Sequence, residues 1–233
     1  MTEPPVWTEP RHDCVLCPPL RFRFNGMADL PGESGVIARD AEFLLIPDLA
    51  PLVEGHLLLV TREHHQCAAM FNPHLWTRAR LWRRRIAGLY RSAYGTDELL
   101  LFEHGPASPQ GGGACIDHAH WHFIPGTHGV RALVEAEGRR GAPAGHQALR
   151  AHVRAGRSYL LIEEGGVTTV HPGDGVRSQY LRWAVTATRR NEKWRWQETF
   201  GLPESRRRFF RTLQVLRAAD APPDEDQLSD SHR

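Results

Sequence analysis

Gly112-Gly113-Ala114-Cys115-Ile116-Asp117-His118-Ala119-His120-Trp121-His122-Phe123-Ile124-Pro125 sets three histidines at alternate positions directly after a glycine run. Successive side chains of a strand point to opposite faces. The segment Ile116 to Ile124 therefore reads as a strand with His118, His120 and His122 on one face and Ala119, Trp121 and Phe123 on the other. One face is chemical and the other is core. Imidazole ligates metals, carries protons near neutrality and forms covalent intermediates. The bland alternative, three packed or solvated histidines without a task, fits poorly, because histidine is seldom clustered for packing reasons.

The neighbouring segments supply a sheet for this strand. Phe43-Leu44-Leu45-Ile46 is an apolar run that reads as a strand; Pro47, Asp48 and Pro51 form a connection; Gly55-His56-Leu57-Leu58-Leu59-Val60 returns antiparallel to it. Leu20 to Phe24 alternates ahead of turn signals at Asn25-Gly26 and Pro31-Gly32. Asn72 is placed to cap a helix with Pro73 at its first position, its apolar stripe Leu75, Leu81, Ile86 and Leu89 lying opposite a solvated face of Arg78, Arg80, Arg84 and Arg85. Glu98 to Glu103 is a further strand, and Gly105 to Gly113 a glycine-rich loop. Downstream, helices are expected over Val130–Glu137, His146–Arg154, Gln179–Arg189 and Glu204–Ala219, with a strand at Tyr159–Glu163. The fold class is α+β: an antiparallel sheet with a packed helix, plus a C-terminal α/β extension. The divisions are a disordered arm over 1–13, a catalytic domain over 14–126, an extension packed on it over 127–221 and a disordered tail over 222–233, since neither end has the apolar periodicity needed to dock.

Composition excludes several classes. Apolar residues at 41% and charged residues at 24% are ordinary globular values, and no apolar run reaches the length that spans a bilayer. No membrane partner is expected. Met1-Thr2-Glu3-Pro4-Pro5-Val6 lacks the basic start and apolar stretch of an export signal, which points to the cytoplasm. A net charge of +2 is too small for general nucleic-acid binding. Lys193 is the sole lysine. Arginine favours bidentate phosphate contacts; the bland alternative, that a GC-rich genome writes arginine for lysine, is the better reading for most surface positions.

Four cysteines stand at 14, 17, 67 and 115. In a reducing compartment Cys-x-x-Cys suggests a metal knuckle or a redox pair rather than a disulfide. Two thiolates with one histidine after the second strand and one from the triad would close a tetrahedral Cys₂His₂ zinc site. His64 is the better loop ligand, and His65 points elsewhere. The alternatives, two buried thiols and an ordinary loop histidine, stay open on the residues alone. Cys67 and Cys115 read as packing residues.

The chain resembles the histidine triad (HIT) superfamily of nucleotide hydrolases and transferases. His118-Ala119-His120-Trp121-His122-Phe123-Ile124 matches its His-φ-His-φ-His-φ-φ pattern, and Gly55 to Val60 with His64 is similar to its Gly-His-x-Leu-Val-x-Pro-x-x-His segment. The resemblance covers roughly Cys14 to Pro125. It implies a structural zinc held by Cys14, Cys17, His64 and His118. It also implies His120 as the nucleophile that attacks the α-phosphorus of a nucleotide, forming a nucleotidyl-histidine. His122 would sit beside the phosphate, donating to a nonbridging oxygen or assisting the leaving group, and the loop amides of Gly111 to Cys115, with Gly112 and Gly113, would stabilise charge developing there. A plain flexible loop is the competing reading of those glycines. Many members pair as dimers, so a homodimer is a further implication.

The chain departs from the pattern. Glu103-His104-Gly105 and Ala114-Cys115 replace the Asn-x-Gly and Gln-Ser of many hydrolases, while Phe102-Glu103-His104-Gly105 is similar to the Phe-Glu-Asn-x-Gly of galactose-1-phosphate uridylyltransferases. Those carry glutamine where His122 stands. Glu103 and Cys115 are accordingly candidate nucleotide-binding residues. In the C-terminal half Gln179 and Arg182 are candidates too, Arg182 as a clamp on a distal phosphate, against the reading of a packed helix around Tyr180, Leu181 and Trp183. Trp194 and Trp196 read as anchors of the extension rather than a base-stacking pair, and Arg206 to Arg208 as a solvated helix face. The expected activity is hydrolysis at an α-phosphate of a dinucleoside polyphosphate or nucleotide conjugate. Transfer or phosphorolysis, a silent nucleotide binder, and a hydrolase with a metal held by all three triad histidines are the alternatives. The last is weakened by the lack of a carboxylate where an HxHxDH site has one.

Overall fold

The computed structural model describes residues 13–18, 21, 28–108, 113–126, 128–189 and 194–220. The expected arm up to residue 12, most of the strand over 20–24, Gly111, Gly112 and the tail lie outside the described residues.

After a two-residue edge strand, Ala38–Arg39 (β1), the apolar runs Phe43–Pro47 (β2) and Leu57–Thr61 (β3) form an antiparallel pair with Leu45 opposite Leu59. Every residue of both is buried, as befits strands covered on both faces. Leu99–Gly105 (β4) and His120–Pro125 (β5) follow, and β5 inserts between β3 and β4, with His122 opposite Leu58 on one side and Phe102 on the other. Ala142–Pro143 (β6), Tyr159–Glu164 (β7) and Val167–Pro172 (β8) complete one antiparallel sheet of order β1-β2-β3-β5-β4-β7-β8-β6. The C-terminal half thus extends the sheet directly through β4 and β7, where Phe102 faces Ile162. Strand β8 is an addition to the sequence reading, although Gly165-Gly166 before it is a hairpin signal.

One sheet face carries Phe43, Leu59, Leu101, Trp121, Phe123, Tyr159 and Leu161, covered by helices Pro73–Tyr94 (α1), His146–Arg154 (α3) and Pro203–Asp220 (α6). The other carries Leu100, Phe102, Ile124, Leu160 and Ile162 beneath Val130–Ala136 (α2) and Tyr180–Thr188 (α4). Beside that cluster, Ile46, Leu58 and Val60 pack on Cys14, Leu16 and Cys17. A short helix, Trp196–Thr199 (α5), precedes α6. No helix among the described residues is long and apolar enough to cross a membrane.

Helix α1 starts as its sequence predicts. Asn72 accepts the Leu75 N–H at 2.8 Å, Pro73 holds the first position, and Gly95 closes the helix in the left-handed region. Asn72→Ala should cost about 1 kcal/mol of unfolding free energy, read from urea denaturation midpoints at unchanged slope. Two details of its faces are corrected. Leu81 is 38% exposed, outside the buried stripe of Leu75, Ile86 and Leu89. Nor are the arginines only a solvated face: Arg80 and Arg83 both bind the buried carboxylate of Glu163, at 2.5 and 2.6 Å, and Arg78 binds Asp40. Glu163 lies on β7, so no local pattern could announce the pairing.

Candidate active site and metal cluster

The triad histidines lie at the junction between the Cys14/Cys17 cluster and the α4 cluster. The regular strand begins at His120 rather than Ile116, and His118 precedes it in irregular backbone. Its ring is what holds it there. His118 Nε2 lies 2.8 Å from the Thr61 carbonyl oxygen, which only accepts, so the imidazole proton sits on Nε2 and the Nδ1 lone pair faces the sulfurs of Cys14 and Cys17, each 3.4 Å away. His64 Nδ1 is 3.3 Å from Cys17 Sγ. Tetrahedral coordination at ordinary zinc bond lengths puts sulfur and nitrogen about 3.5 Å apart. Cys14, Cys17, His64 and His118 are all buried with their donor atoms within 4.8 Å of one another, a group able to hold a metal ion. Burial pushes the Cys14 thiol up to about 12, so a cation is what would draw its thiolate out. His65 is buried but outside this group; its ring packs edge-on against Phe71.

His120 is oriented by its own backbone neighbour. Its Nδ1 lies 2.6 Å from the His118 carbonyl oxygen and must donate there, which leaves the lone pair on Nε2. Burial lowers its pKa, against the opposing pull of that hydrogen bond, so the ring is neutral at pH 7.

His122 is held by a chain of donors that begins in the β2–β3 connection. The Leu52 N–H donates to His56 Nδ1 at 3.2 Å, so His56 carries its proton on Nε2 and donates it to His122 Nδ1 at 2.9 Å. The His122 proton is then on Nε2. Phe102 stacks flat on this ring at 4.4 Å and fixes its plane. Burial, then the charges of His120, His56 and Arg182, keep His122 well below its usual pKa, and burial takes His56 to about 3. Both rings are neutral. Asp48 stands beside them, Oδ2 being 3.7 Å from His56 Nε2 and 3.8 Å from His122 Nδ1. These three could be read as a second metal group. The Arg182 guanidinium on the same oxygen at 2.6 Å argues against a further cation there.

His56 and Asp48 were not candidates in the sequence, yet a signal for His56 was present. Leu58 is opposite His122, so His56, two residues earlier on β3's line, belongs to the same face. The connection is tied down by distant elements. Gly55 donates to Thr212 Oγ1 of α6, its carbonyl accepts from Tyr90 of α1, and Arg208 binds the Pro51 and Leu52 carbonyls. With φ of +85° and Pro125 Cγ 2.9 Å from where a Cβ would sit, position 55 admits only glycine. Arg208 is therefore not simply solvated, and Arg206 pairs with Asp29.

The remaining candidates separate. Glu103 is corrected: Phe102 pairs with His122, so the next residue points to the opposite face, where Glu103 is buried and accepts from Ala68 N–H and Tyr159 O–H, each at 2.8 Å. His104, not Glu103, shares the triad face, and it accepts the Leu181 N–H. Burial raises Glu103 to about 7. Because its folded pKa lies above the unfolded one, its contribution is greatest below about pH 4.5 and fades as pH rises through 7. Glu103→Gln should therefore gain stability relative to wild type between pH 5 and 8, on the order of 1–3 kcal/mol, measured by urea unfolding across that range.

Arg182 does reach the triad, but as a buried partner of Asp48 and the Ala50 carbonyl rather than an open phosphate clamp, because α4 packs its N-terminal half directly on this face. Gln179 meets the glycine loop through its backbone, donating to the Gly113 carbonyl at 2.9 Å, while its amide donates to Gln197. Gly113, at φ of +75°, lies where a Cβ would be 2.7 Å from the Arg177 carbonyl oxygen, so this glycine permits close approach of the extension. Cys67 is buried and Cys115 is exposed, which corrects the packing expectation for Cys115. Trp194 lies near the guanidinia of Arg177 and Arg195. The side chain of Trp196 and all of Gly112 are outside the described residues.

No protein-family model matches this chain, and a search of curated proteins finds no match. Solved structures do match. A HIT-like protein involved in cell-cycle regulation from Bartonella henselae is 17% identical at a TM-score of 0.37, over 49% of this chain and 76% of that one. A HIT family hydrolase from Clostridium thermocellum is 21% identical at 0.36, over 50% and 93%. Yeast Ap4A phosphorylase in complex with AMP is 13% identical at 0.38, over 66% of this chain and 70% of that one. What the chain is similar to, at low identity, is therefore a set of histidine-triad structures together with an Ap4A phosphorylase.

Proposed function

We propose that the protein is a histidine-triad enzyme that breaks a nucleotide substrate at its α-phosphate through a nucleotidyl-histidine on His120. The observation that carries this reading is the one-way proton arrangement: His120 Nδ1–H locked on the His118 carbonyl with a free Nε2 lone pair, beside a neutral His122 whose Nε2–H is available to donate. His120 Nε2 attacks phosphorus and the P–N bond forms. The P–O bond to the leaving group breaks, and the leaving oxygen takes the electron pair. The imidazolium that results is stabilised by the His118 carbonyl already accepting its Nδ1–H. Donation from His122 Nε2 to a nonbridging or departing oxygen lowers the barrier. Water then attacks phosphorus and gives up a proton to the solvent or the departed oxygen, the P–N bond breaks with its electrons returning to His120, and the mononucleotide leaves. Hydrolysis is the reading adopted, with transfer to another acceptor following if one outcompetes water.

Zinc is the metal that suits the buried Cys₂His₂ group, since four protein ligands fill a tetrahedral shell and leave no open position. Cys14, Cys17, His64 and His118 would hold it, and its task would be structural: anchoring the Cys14 segment and fixing His118, whose carbonyl orients His120. The test is incubation with a dinucleoside polyphosphate, a nucleotide sugar and a nucleoside phosphoramidate, each labelled at the α-phosphate. Release of labelled mononucleotide from one of them supports the reading; inertness toward all three, with His120 unlabelled, removes it.

A further inference from the structure

We propose that Arg182, contributed by the C-terminal extension, is a positioning residue that preserves the His122 tautomer set through His56, by occupying Asp48. This deepens the reading of the triad as a nucleotidyl-transfer site and rests on it. Arg182 and Asp48 are 3% and 6% exposed, and the guanidinium reaches Asp48 Oδ2 at 2.6 Å and the Ala50 carbonyl at 2.7 Å. The other carboxylate oxygen, Oδ1, accepts the Ala50 N–H at 2.8 Å. Both oxygens of Asp48 are thus engaged, although Oδ2 lies only 3.7 and 3.8 Å from the two imidazoles.

An unpaired carboxylate at that distance would compete for the imidazole proton. A histidine beside a free carboxylate turns its Nδ1–H toward it, and His122 Nδ1 is the nitrogen facing Asp48. His122 would then hold its proton on Nδ1 and present a lone pair, not a donor, at Nε2, and the His56 proton would move from Nε2 to Nδ1 at the cost of the hydrogen bond from Leu52. A lone pair directed at phosphate oxygens repels them. The alternative response, a second proton on the His56–His122 pair, would break the Leu52→His56→His122 chain, because both nitrogens of a ring would be donors. Arg182 prevents both by neutralising the carboxylate. Besides Arg182, the charged or titratable groups acting on His122 are His56 from the connection before β3, His120 on β5 and His104 on β4, and Asp48 is the acid that faces its Nδ1.

The experiment uses the full chain with ¹⁵N-labelled histidine. In wild type, His122 should show a protonated Nε2 and an unprotonated Nδ1. In Arg182→Met, protonation should appear on His122 Nδ1, and turnover of the α-labelled substrate should fall about a hundredfold with an upward shift of the acid limb of the pH profile. The double variant Asp48→Asn/Arg182→Met buries no unpaired charge. It should recover the wild-type nitrogen pattern and at least a tenfold part of the rate, which loss of packing alone would not allow. Arg182→Lys, which keeps the charge, should be intermediate. An unprotonated Nε2 on wild-type His122, or an unchanged His122 pattern in a folded Arg182→Met protein, overturns the proposal. If Arg182→Met does not fold, a double variant whose His122 carries the Nδ1 proton overturns it equally. The nitrogen pattern is read without substrate, so absence of a His120 adduct would remove the nucleotidyl-transfer reading while leaving the tautomer result standing.

Discussion

Replacing His120 with alanine should abolish turnover, lowering it by a factor on the order of 10⁴ to 10⁶, as removal of a covalent nucleophile does. The fold should survive, because the His120 ring contributes one hydrogen bond to its own backbone neighbour and an edge contact to His122. Metal content should survive too, since the candidate ligands are Cys14, Cys17, His64 and His118. Rapid quench with α-labelled substrate should trap, in wild type, an acid-labile, base-stable adduct that maps to His120. The pH dependence has a definite sign: burial lowers the His120 pKa, so the neutral, attacking form persists below the usual titration range near 6.5. Adduct formation should therefore fall off at a pH below 6.5 rather than halving there. His122→Ala is expected to slow the step without removing the adduct site. Label on another residue, or a fully active His120→Ala protein, would refute the assignment.

Removing one ligand of the buried cysteine–histidine group should unfold the protein. Structural zinc sites are worth on the order of 10 kcal/mol near neutral pH, comparable with the whole stability of a domain. The loss is steep here because Leu16, Cys14 and Cys17 form a small core with Ile46, Leu58 and Val60. Without a cation, that segment would place two neutral thiols against two imidazoles. Cys14→Ser and His64→Ala should be recovered in poor yield, without metal, and with a urea midpoint far below wild type. One zinc per chain by elemental analysis is the expected wild-type value. Properly folded wild type devoid of metal would overturn the assignment.

The alternation His-Ala-His-Trp-His-Phe made the division of the triad strand into a chemical and a core face legible from the residues alone. Trp121 and Phe123 do lie in the helix-covered core, and His120 and His122 do lie opposite. Local rules were enough there because strand periodicity is a property of the backbone. The same holds for α1, whose cap and proline act within one turn. Glu103 shows the limit of motif likeness: strand parity puts Glu103 and His104 on opposite faces, but which of them shares the triad face follows from the pairing of Phe102 with His122.

The sequence by itself determined the antiparallel pairing of β2 with β3 and the clustering of chemistry on one strand, while the set of four metal-ligand candidates came from the family resemblance. Only the tertiary structure decided the protonation of that chemistry. His120 takes its tautomer from a carbonyl two residues away, but His122 takes its own from Leu52 through His56, and Asp48 is held by Arg182, 134 positions along the chain. Hydrogen-bond direction is set by which donor meets which acceptor in three dimensions, and a buried carboxylate must be paired by whatever cation the fold delivers. Neither leaves a trace in periodicity or spacing, so the pairing of Arg182 with Asp48 exists only through the packing of α4 on the triad face.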